Sequence, residues 1–395
     1  MIDFSKYLGR TSSIFTHDLF DRMQQLKIIH KNSSILVLGG AGSIGSAVCK
    51  TLLSYNPRNI DIVDLSENNL VELTRDIRSS DIASKTKLRF ICLDVGSQEF
   101  DKMFSVYGPY DYVYNLTALK HVRSEENQFT LIRMLQTNVI NAVKAYKLSK
   151  NSGVKSYFCV STDKAADPTN VMGATKLLME KSLNSIAVPS TKIVLARFAN
   201  VLFSDGSLPF GFQYRLQKNQ PLSAPSDIRR YFISEQEAGE LCVLSGSLGQ
   251  NSEIFFPKML EAQDAQSFTE VAKEFLKENN YRPKVYETEE AAKRSLKFDK
   301  SNGFWPCYFF KSNTSGEKYL EEFYTNDEVL NMDNFQTIGI IKPKFDDSFN
   351  YENFYASFMN LSSNNYKKED ILDLIKYYLA NFKHVEKNAS LNARM

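Results

Sequence analysis

Thr162, Asp163 and Lys164 place a hydroxyl, a carboxylate and an amine at consecutive positions. A carboxyl beside an amine supplies one proton donor and one proton acceptor, the minimum for acid–base work on adjacent atoms. The apolar run Tyr157-Phe158-Cys159-Val160, bounded upstream by Gly153, predicts a buried strand leading into them. A turn at Asp167-Pro168 follows, and a helical pattern opens near Asn170 and runs through Leu177, Leu178 and Met179. Strand, polar cluster and helix in that order describe the carboxyl edge of an open α/β sheet, where ligands bind in that architecture. Taken alone, the same residues also suit a solvated turn at a strand end.

A second cluster is steric in character. Gly39, Gly42 and Gly45, with Ser43 and Ile44 between them, form G-x-x-G-x-x-G between the strand Ile35-Leu36-Val37-Leu38 and a helix through Leu53. The first glycine permits a tight turn, the second lets backbone approach a pyrophosphate, and the third lets helix pack on strand. Helix N-terminal amides then face the phosphates. Asp64 follows Gly45 by about 20 residues at the end of Ile60-Asp61-Ile62-Val63, where a carboxylate accepts from a ribose 2′-hydroxyl and favours NAD over NADP. Asp94 and Val95, ending a third strand at Leu88–Leu93, are placed to meet the adenine.

The remaining elements continue this alternation. Tyr112–Leu116 is a fourth strand ending at Thr117-Ala118-Leu119-Lys120-His121, a helix spans about Thr137 to Lys150, and Ile193–Phe198 is a sixth strand. Strands separated by helices imply βαβ units, giving an α/β fold with a Rossmann-type doubly wound parallel sheet. Residues 1–33 form an N-terminal helical arm, in which Thr16 caps a helix through Ile29 with Leu19, Phe20, Met23, Leu26 and Ile29 at packing spacing. The dinucleotide-binding domain covers 34–200. Turns at Ser204-Asp205-Gly206-Ser207 and Pro209-Phe210-Gly211 open a substrate-binding region over 201–310, with strands returning to the sheet. A C-terminal extension covers 311–395 and ends in a helix over Lys368–Phe382. Trp305-Pro306-Cys307 reads as core.

Composition narrows the class. The 395 residues are 43% hydrophobic and 24% charged with net charge +2, ordinary for a globular protein. Neither sign forms a block, so no electrostatic footprint for nucleic acid or a membrane surface is present. Cys49, Cys92, Cys159, Cys242 and Cys307 lack metal-ligand spacing and read as buried reduced thiols, so no metal is expected. The start, Met1-Ile2-Asp3-Phe4, lacks a leader pattern and no apolar run has the length of a membrane span, so a cytoplasmic protein is expected.

Together these stretches resemble the extended short-chain dehydrogenase/reductase family, most closely its polysaccharide-biosynthesis branch of nucleotide-sugar 4,6-dehydratases. That branch typically acts on UDP-N-acetylglucosamine. The likeness rests on the glycine run and on Ala118-Leu119-Lys120-His121-Val122, Ser161-Thr162-Asp163-Lys164-Ala165 and Pro168–Lys176. Arg197–Val201 and Arg230-Tyr231-Phe232 extend it over about Ser34 to Phe256. It implies an NAD reduced and reoxidised within one turnover: hydride leaves C4 of the hexose, water is lost across C5 and C6, and hydride returns to C6. It implies Lys164 as base at C5, Asp163 as acid at the C6 hydroxyl, and Thr162 as hydrogen-bond partner of the C4 oxygen.

The wider family carries Tyr-x-x-x-Lys, and here the pair is Met172 and Lys176. A thioether cannot take a proton, so oxidation at C4 through a tyrosine is excluded. The resemblance to a subgroup with Met there implies retained C5 configuration, leaving Thr162 with a water, or Lys176, to deprotonate the C4 hydroxyl. Lys176 is expected to hold the nicotinamide ribose, Lys120 and Ala118 the cofactor, and Lys120 and His121 the sugar end of the cleft. Asn200, Ser207 and Arg230 match positions that hold the nucleotide diphosphate, and Asp205 departs from a position often basic in relatives. The expectation is a homo-oligomeric nucleotide-sugar enzyme for a surface glycan. A 4-epimerase on the same fold, or a non-catalytic dinucleotide-binding scaffold, is the alternative.

Overall fold

The structure is a computed structural model describing residues 4–384, apart from 81, 83, 122–124, 259–263, 313–317 and 344–347. Val122 of the Lys120 motif and Met1–Asp3 therefore lie outside the described residues.

The chain opens with α1 (Phe4–Leu8) and α2 (Thr16–His30), then alternates strand and helix. In order come β1 (Ser34–Leu38), α3 (Ser43–Leu53), β2 (Asn59–Asp64), α4 (Glu67–Ser79), β3 (Lys87–Cys92) and α5 (Gln98–Tyr107). They are followed by β4 (Tyr112–Asn115), α6 (Gln128–Leu135), α7 (Asn141–Asn151), β5 (Ser156–Thr162), α8 (Val171–Ser185) and β6 (Lys192–Phe198). These strands pair in parallel in the order β3-β2-β1-β4-β5-β6, with Ile35 beside Ile60, Leu36 beside Val113 and Thr162 beside Phe198. The order reverses between β1 and β4, the switch point at which such sheets bind ligands. Every residue of β1 and β4 is buried, as strands covered on both faces require. At roughly 1.5–3 kcal/mol per buried large apolar side chain, that continuous run is what commits the segment to the sheet centre.

The sheet does not end at β6. Glu253–Pro257 extends it in parallel, and Ile338–Ile341 and Leu330–Asn331 add antiparallel strands beyond. A separate three-stranded sheet of Leu222–Pro225, Phe304–Phe310 and Arg282–Tyr286 carries a second core around Phe212, Phe275 and Trp305. Trp305 is buried there as expected, its indole N–H donating to the Gln220 carbonyl at 3.0 Å.

Five local expectations need correction. Thr16 is not a cap: its hydroxyl donates backwards to the Ser13 carbonyl at 2.7 Å, and Phe15 occupies the cap position. Along α2, Leu26 is buried but Phe20 and Met23 face solvent, because the sheet offers that helix only a narrow seam. The helix expected from Thr137 begins at Gln128 and passes through a π-helical turn at Gln136–Ile140 before α7. Such a turn breaks the 3.6-residue period from which the start was read. Cys92 is exposed, whereas the other four cysteines are buried. The last helix stops at Tyr378 rather than Phe382.

Candidate active site

The carboxyl ends of β1 to β6 open into one cleft of about 590 Å³. At one end it is walled by backbone. Gly39 adopts φ +69°, and a Cβ there would stand 3.0 Å from the Leu116 carbonyl carbon. A Cβ on Gly45 would lie 2.1 Å from the Gly39 oxygen, so only glycine lets the first turn of α3 rest on this loop. Gly42, Ser43 and Ile44 line the cleft beside them. The Asp64 carboxylate is held at the end of β2 by the amides of Ala41 (3.0 Å) and Ser66 (2.9 Å), facing the same space. Asp94 and Val95 line it next, with Asp94 steadied by the Gly96 amide at 2.7 Å. Glycine cradle, helix N-terminus and ribose-facing carboxylate together fit a dinucleotide.

The other end is walled by side chains. Thr162 closes β5, and Asp163 and Lys164 form a tight turn after it. Asp163 Oδ1 accepts from the Thr162 hydroxyl (2.8 Å), the Lys164 amide (2.9 Å) and Lys164 Nζ (2.9 Å). Thr162 and Lys164 face the cleft; Asp163 is buried behind them and is absent from its wall. Asn170 caps α8 by accepting from the Gly173 amide at 2.8 Å, and a Cβ on Gly173 would meet the Lys164 carbonyl oxygen at 2.4 Å. That glycine allows α8 to press against the Asp163–Ala165 turn, and Met172 and Lys176 of α8 line the cleft. Lys176 Nζ donates to the Val160 carbonyl at 3.1 Å, and burial lowers its pKa despite Cys159 and Glu180 nearby. Burial likewise lowers the pKa of Lys120, against the opposing pull of Asp205 and Glu235.

Ala118, Lys120, His121, Asn200 and Ser207 all line the cleft. His121 packs on Gly206, where an added Cβ would meet its ring at 2.6 Å. Asp205 meets the glycine loop directly, its amide donating to Ser43 Oγ at 3.0 Å. Arg230 is the exception. It lies off the cleft wall, buried, donating to the carbonyls of Arg229 (2.8 Å), Lys318 (3.0 Å) and Tyr319 (3.2 Å). Its guanidinium is therefore directed at the C-terminal segment, away from the place expected for a diphosphate.

Other residues of the site had no clear signal in the sequence. Leu65 and Leu93, with Arg133, Gln136, Thr137 and Asn141 from around the π-helical turn, also line the cleft. Asn138, fully buried in that turn, holds the Leu119 amide at 2.8 Å and donates to Thr175 Oγ1 at 3.0 Å, tying the Lys120 loop to α8. Glu125 accepts from the Met172 amide at 2.9 Å.

Comparison with known proteins agrees with this geometry. The polysaccharide biosynthesis protein family matches residues 35–343. An uncharacterized membrane protein of Methanocaldococcus jannaschii is 30% identical over 81% of this chain and 89% of its own length. Among the described residues of this chain, no helix is long and apolar enough to cross a membrane. A Campylobacter jejuni UDP-N-acetylglucosamine 4,6-dehydratase (inverting) is 30% identical over 57% of this chain and 67% of its own length. The probable polysaccharide biosynthesis protein EpsC of Bacillus subtilis is 29% identical, and the match spans only 41% of its length. Among solved structures, Pen from Bacillus thuringiensis superposes with TM-score 0.63 at 22% identity, over 82% of this chain and 90% of that one. The UDP-glucuronic acid 4-epimerase of Bacillus cereus, solved with UDP-glucuronic acid and NAD, gives 0.54 at 17% identity, over 73% and 89%. These superpositions establish the Rossmann-type α/β fold.

Proposed function

The chain belongs to the polysaccharide biosynthesis protein family, and from that premise we propose that it is an NAD-dependent nucleotide-sugar 4,6-dehydratase acting on UDP-N-acetylglucosamine. The observation that carries this reading is the Asp163–Lys164 contact of 2.9 Å at the end of β5, beside a methionine where a tyrosine would serve an epimerase. Both elimination and inversion at C4 begin by removing the C4 hydroxyl proton, which Met172 cannot take; elimination alone needs a further acid and base at C5 and C6. UDP-glucose 4-epimerases of Rickettsia are also about 30% identical, and the adjacent Asp163 and Lys164 are what favour elimination here.

NAD held by the glycine loop and Asp64 would, when bound, supply the two-electron reservoir for oxidation at C4 and reduction at C6. This chain's residues handle the protons. Lys164 faces the cleft, takes the C5 proton and, after exchange with solvent, returns one to C5 as hydride reaches C6; Asp163, buried behind it, supplies the proton for the departing C6 hydroxyl. Both roles need the proton of their shared hydrogen bond to sit on Asp163, and one transfer along that bond places it there without solvent. Thr162 holds the C4 oxygen. Its proton has two acceptors on the cleft wall, Thr162 through a water and Lys176, whose burial favours the neutral amine. Met172 supports retained configuration at C5, in contrast to the inverting relatives.

Incubating the purified chain with UDP-N-acetylglucosamine and reading products by proton NMR tests the proposal. A new C6 methyl doublet is expected. A C4 epimer would replace the reading with epimerisation, and unchanged substrate would favour the scaffold.

A further inference from the structure

Met172 lines the cleft, and its backbone is held from both sides by residues that do not. It is the second residue of α8, so its amide is one of the four at a helix start that lack a partner within the helix. Asn170 takes the Gly173 amide, and Glu125 takes the Met172 amide at 2.9 Å. On the other side the Met172 carbonyl accepts from Thr175 Oγ1 at 2.8 Å, and that hydroxyl accepts from Asn138 Nδ2 at 3.0 Å. Asn138 in turn grips both backbone groups of Leu119, accepting from its amide at 2.8 Å and donating to its carbonyl at 3.0 Å.

Glu125 is a costly group to spend on one amide. It is only 6% exposed, and a carboxylate withdrawn from water needs donors around it. A helix N-terminus supplies part of that compensation, because its amides carry partial positive charge. A carboxylate also binds an amide more strongly than a neutral oxygen does. His384 Nε2 stands 3.9 Å from the second carboxylate oxygen, so the C-terminal segment reaches the same group. The first turn of α8 has no slack beside the Lys164 turn, since a Cβ on Gly173 would meet the Lys164 carbonyl oxygen at 2.4 Å. A movement of Met172 is therefore passed to Lys164 on one side and to Lys176, one turn along α8, on the other.

We infer that Glu125 is a positioning residue of the elimination site, a clamp that fixes the first turn of α8 to the chain following Lys120 and His121. The inference rests on the reading of this wall as the place where C5 and C6 react. Glu125 acts through the Met172 backbone and touches no substrate. Its carboxylate sets where Met172, Lys164 and Lys176 stand relative to one another.

The test uses the full chain with Glu125→Ala, which removes the acceptor, Glu125→Asp, which draws it back by one methylene, and Glu125→Gln, which keeps an acceptor oxygen. In E125A, kcat for dehydration per NAD-binding site should fall by roughly 10- to 100-fold, with KM and the calorimetric affinity for NAD unchanged. E125D should fall alike and serves if the alanine protein does not fold, and E125Q should recover most of the loss. Unchanged kcat in E125A and E125D, no recovery in E125Q, or NAD affinity lost in step with kcat would each overturn the inference. Hydrogen exchange of the Met172 amide tests the clamp without any reaction, read by NMR on ¹⁵N-methionine protein and assigned by loss of its signal in Met172→Leu. It should quicken by about 10-fold in E125A, while the Met103 amide in α5 exchanges as in the wild type. An unmoved Met172 amide, or one that quickens together with Met103, overturns the clamp. A wild-type protein that leaves UDP-N-acetylglucosamine unchanged would defeat the functional reading alone, since the exchange still decides the clamp.

Discussion

At the dinucleotide end of the cleft, shape is set by backbone that admits no side chain: a Cβ on Gly45 would lie 2.1 Å from the Gly39 oxygen. At the catalytic end, the wall is made of side chains whose charge states depend on their neighbours, with Asp163 collecting three donors and Lys176 buried against Val160. The glycine cradle at the first end is built by two consecutive elements, β1 and α3. The second end draws on β5 and α8. Steric demands are met locally, whereas the ionisation of a buried pair is decided by whatever the fold brings beside it. The two ends should therefore fail separately.

The largest separation is expected from Lys164→Ala. Turnover should fall by about 10²–10⁴-fold, the usual share of a positioned acid–base group, while calorimetric titration shows NAD binding as in the wild type. Loss of NAD binding in that variant would join the two ends and break the contrast. Gly45→Ala should do the reverse. With backbone as the obstructing neighbour, overpacking of about 3 kcal/mol is expected, read as NAD binding weakened by about 100-fold. At saturating NAD its turnover should match the wild type.

A smaller effect separates the pH response of the site from that of the fold. His30 lies in α2, remote from the cleft wall, with Nε2 2.7 Å from Ser247 Oγ. Burial pushes its imidazole down to about 4 from an ordinary 6.5. Between those values the unfolded chain binds a proton that the native state does not, so folding stability falls as pH drops through 6.5 and levels off below about 4. Between pH 7 and 5 the loss should be about 2 kcal/mol, and His30→Gln should remove that slope from denaturant midpoints. A slope that persists in the variant would assign acid sensitivity to another group, with the catalytic end the first to examine.

The same contrast explains what the sequence discloses. Gly39, Gly45 and Asp64 are legible because each answers a local requirement with a fixed spacing. Thr162, Asp163, Lys164 and Lys176 are legible as a cluster because β5 and the first turns of α8 carry them all. The π-helical turn hid Gln136, Thr137 and Asn141, since its five-residue repeat disrupts the period that marks a helix. The setting of Arg230 was out of reach for a different reason: the Lys318 and Tyr319 carbonyls that hold it lie 88 and 89 positions along the chain, where only tertiary packing decides neighbours. The exposed Phe20 and Met23 show the same limit, because helical spacing identifies a stripe but not how wide a seam awaits it.

The most direct test of the proposed chemistry is to run the reaction in deuterated water and examine C5 of the product by NMR. The account predicts a 4-keto-6-deoxy sugar with solvent deuterium at C5 in retained configuration, formed by the wild type and absent with Lys164→Ala. A C6 methyl product carrying no deuterium at C5, or one formed equally well without the Lys164 amine, would contradict it.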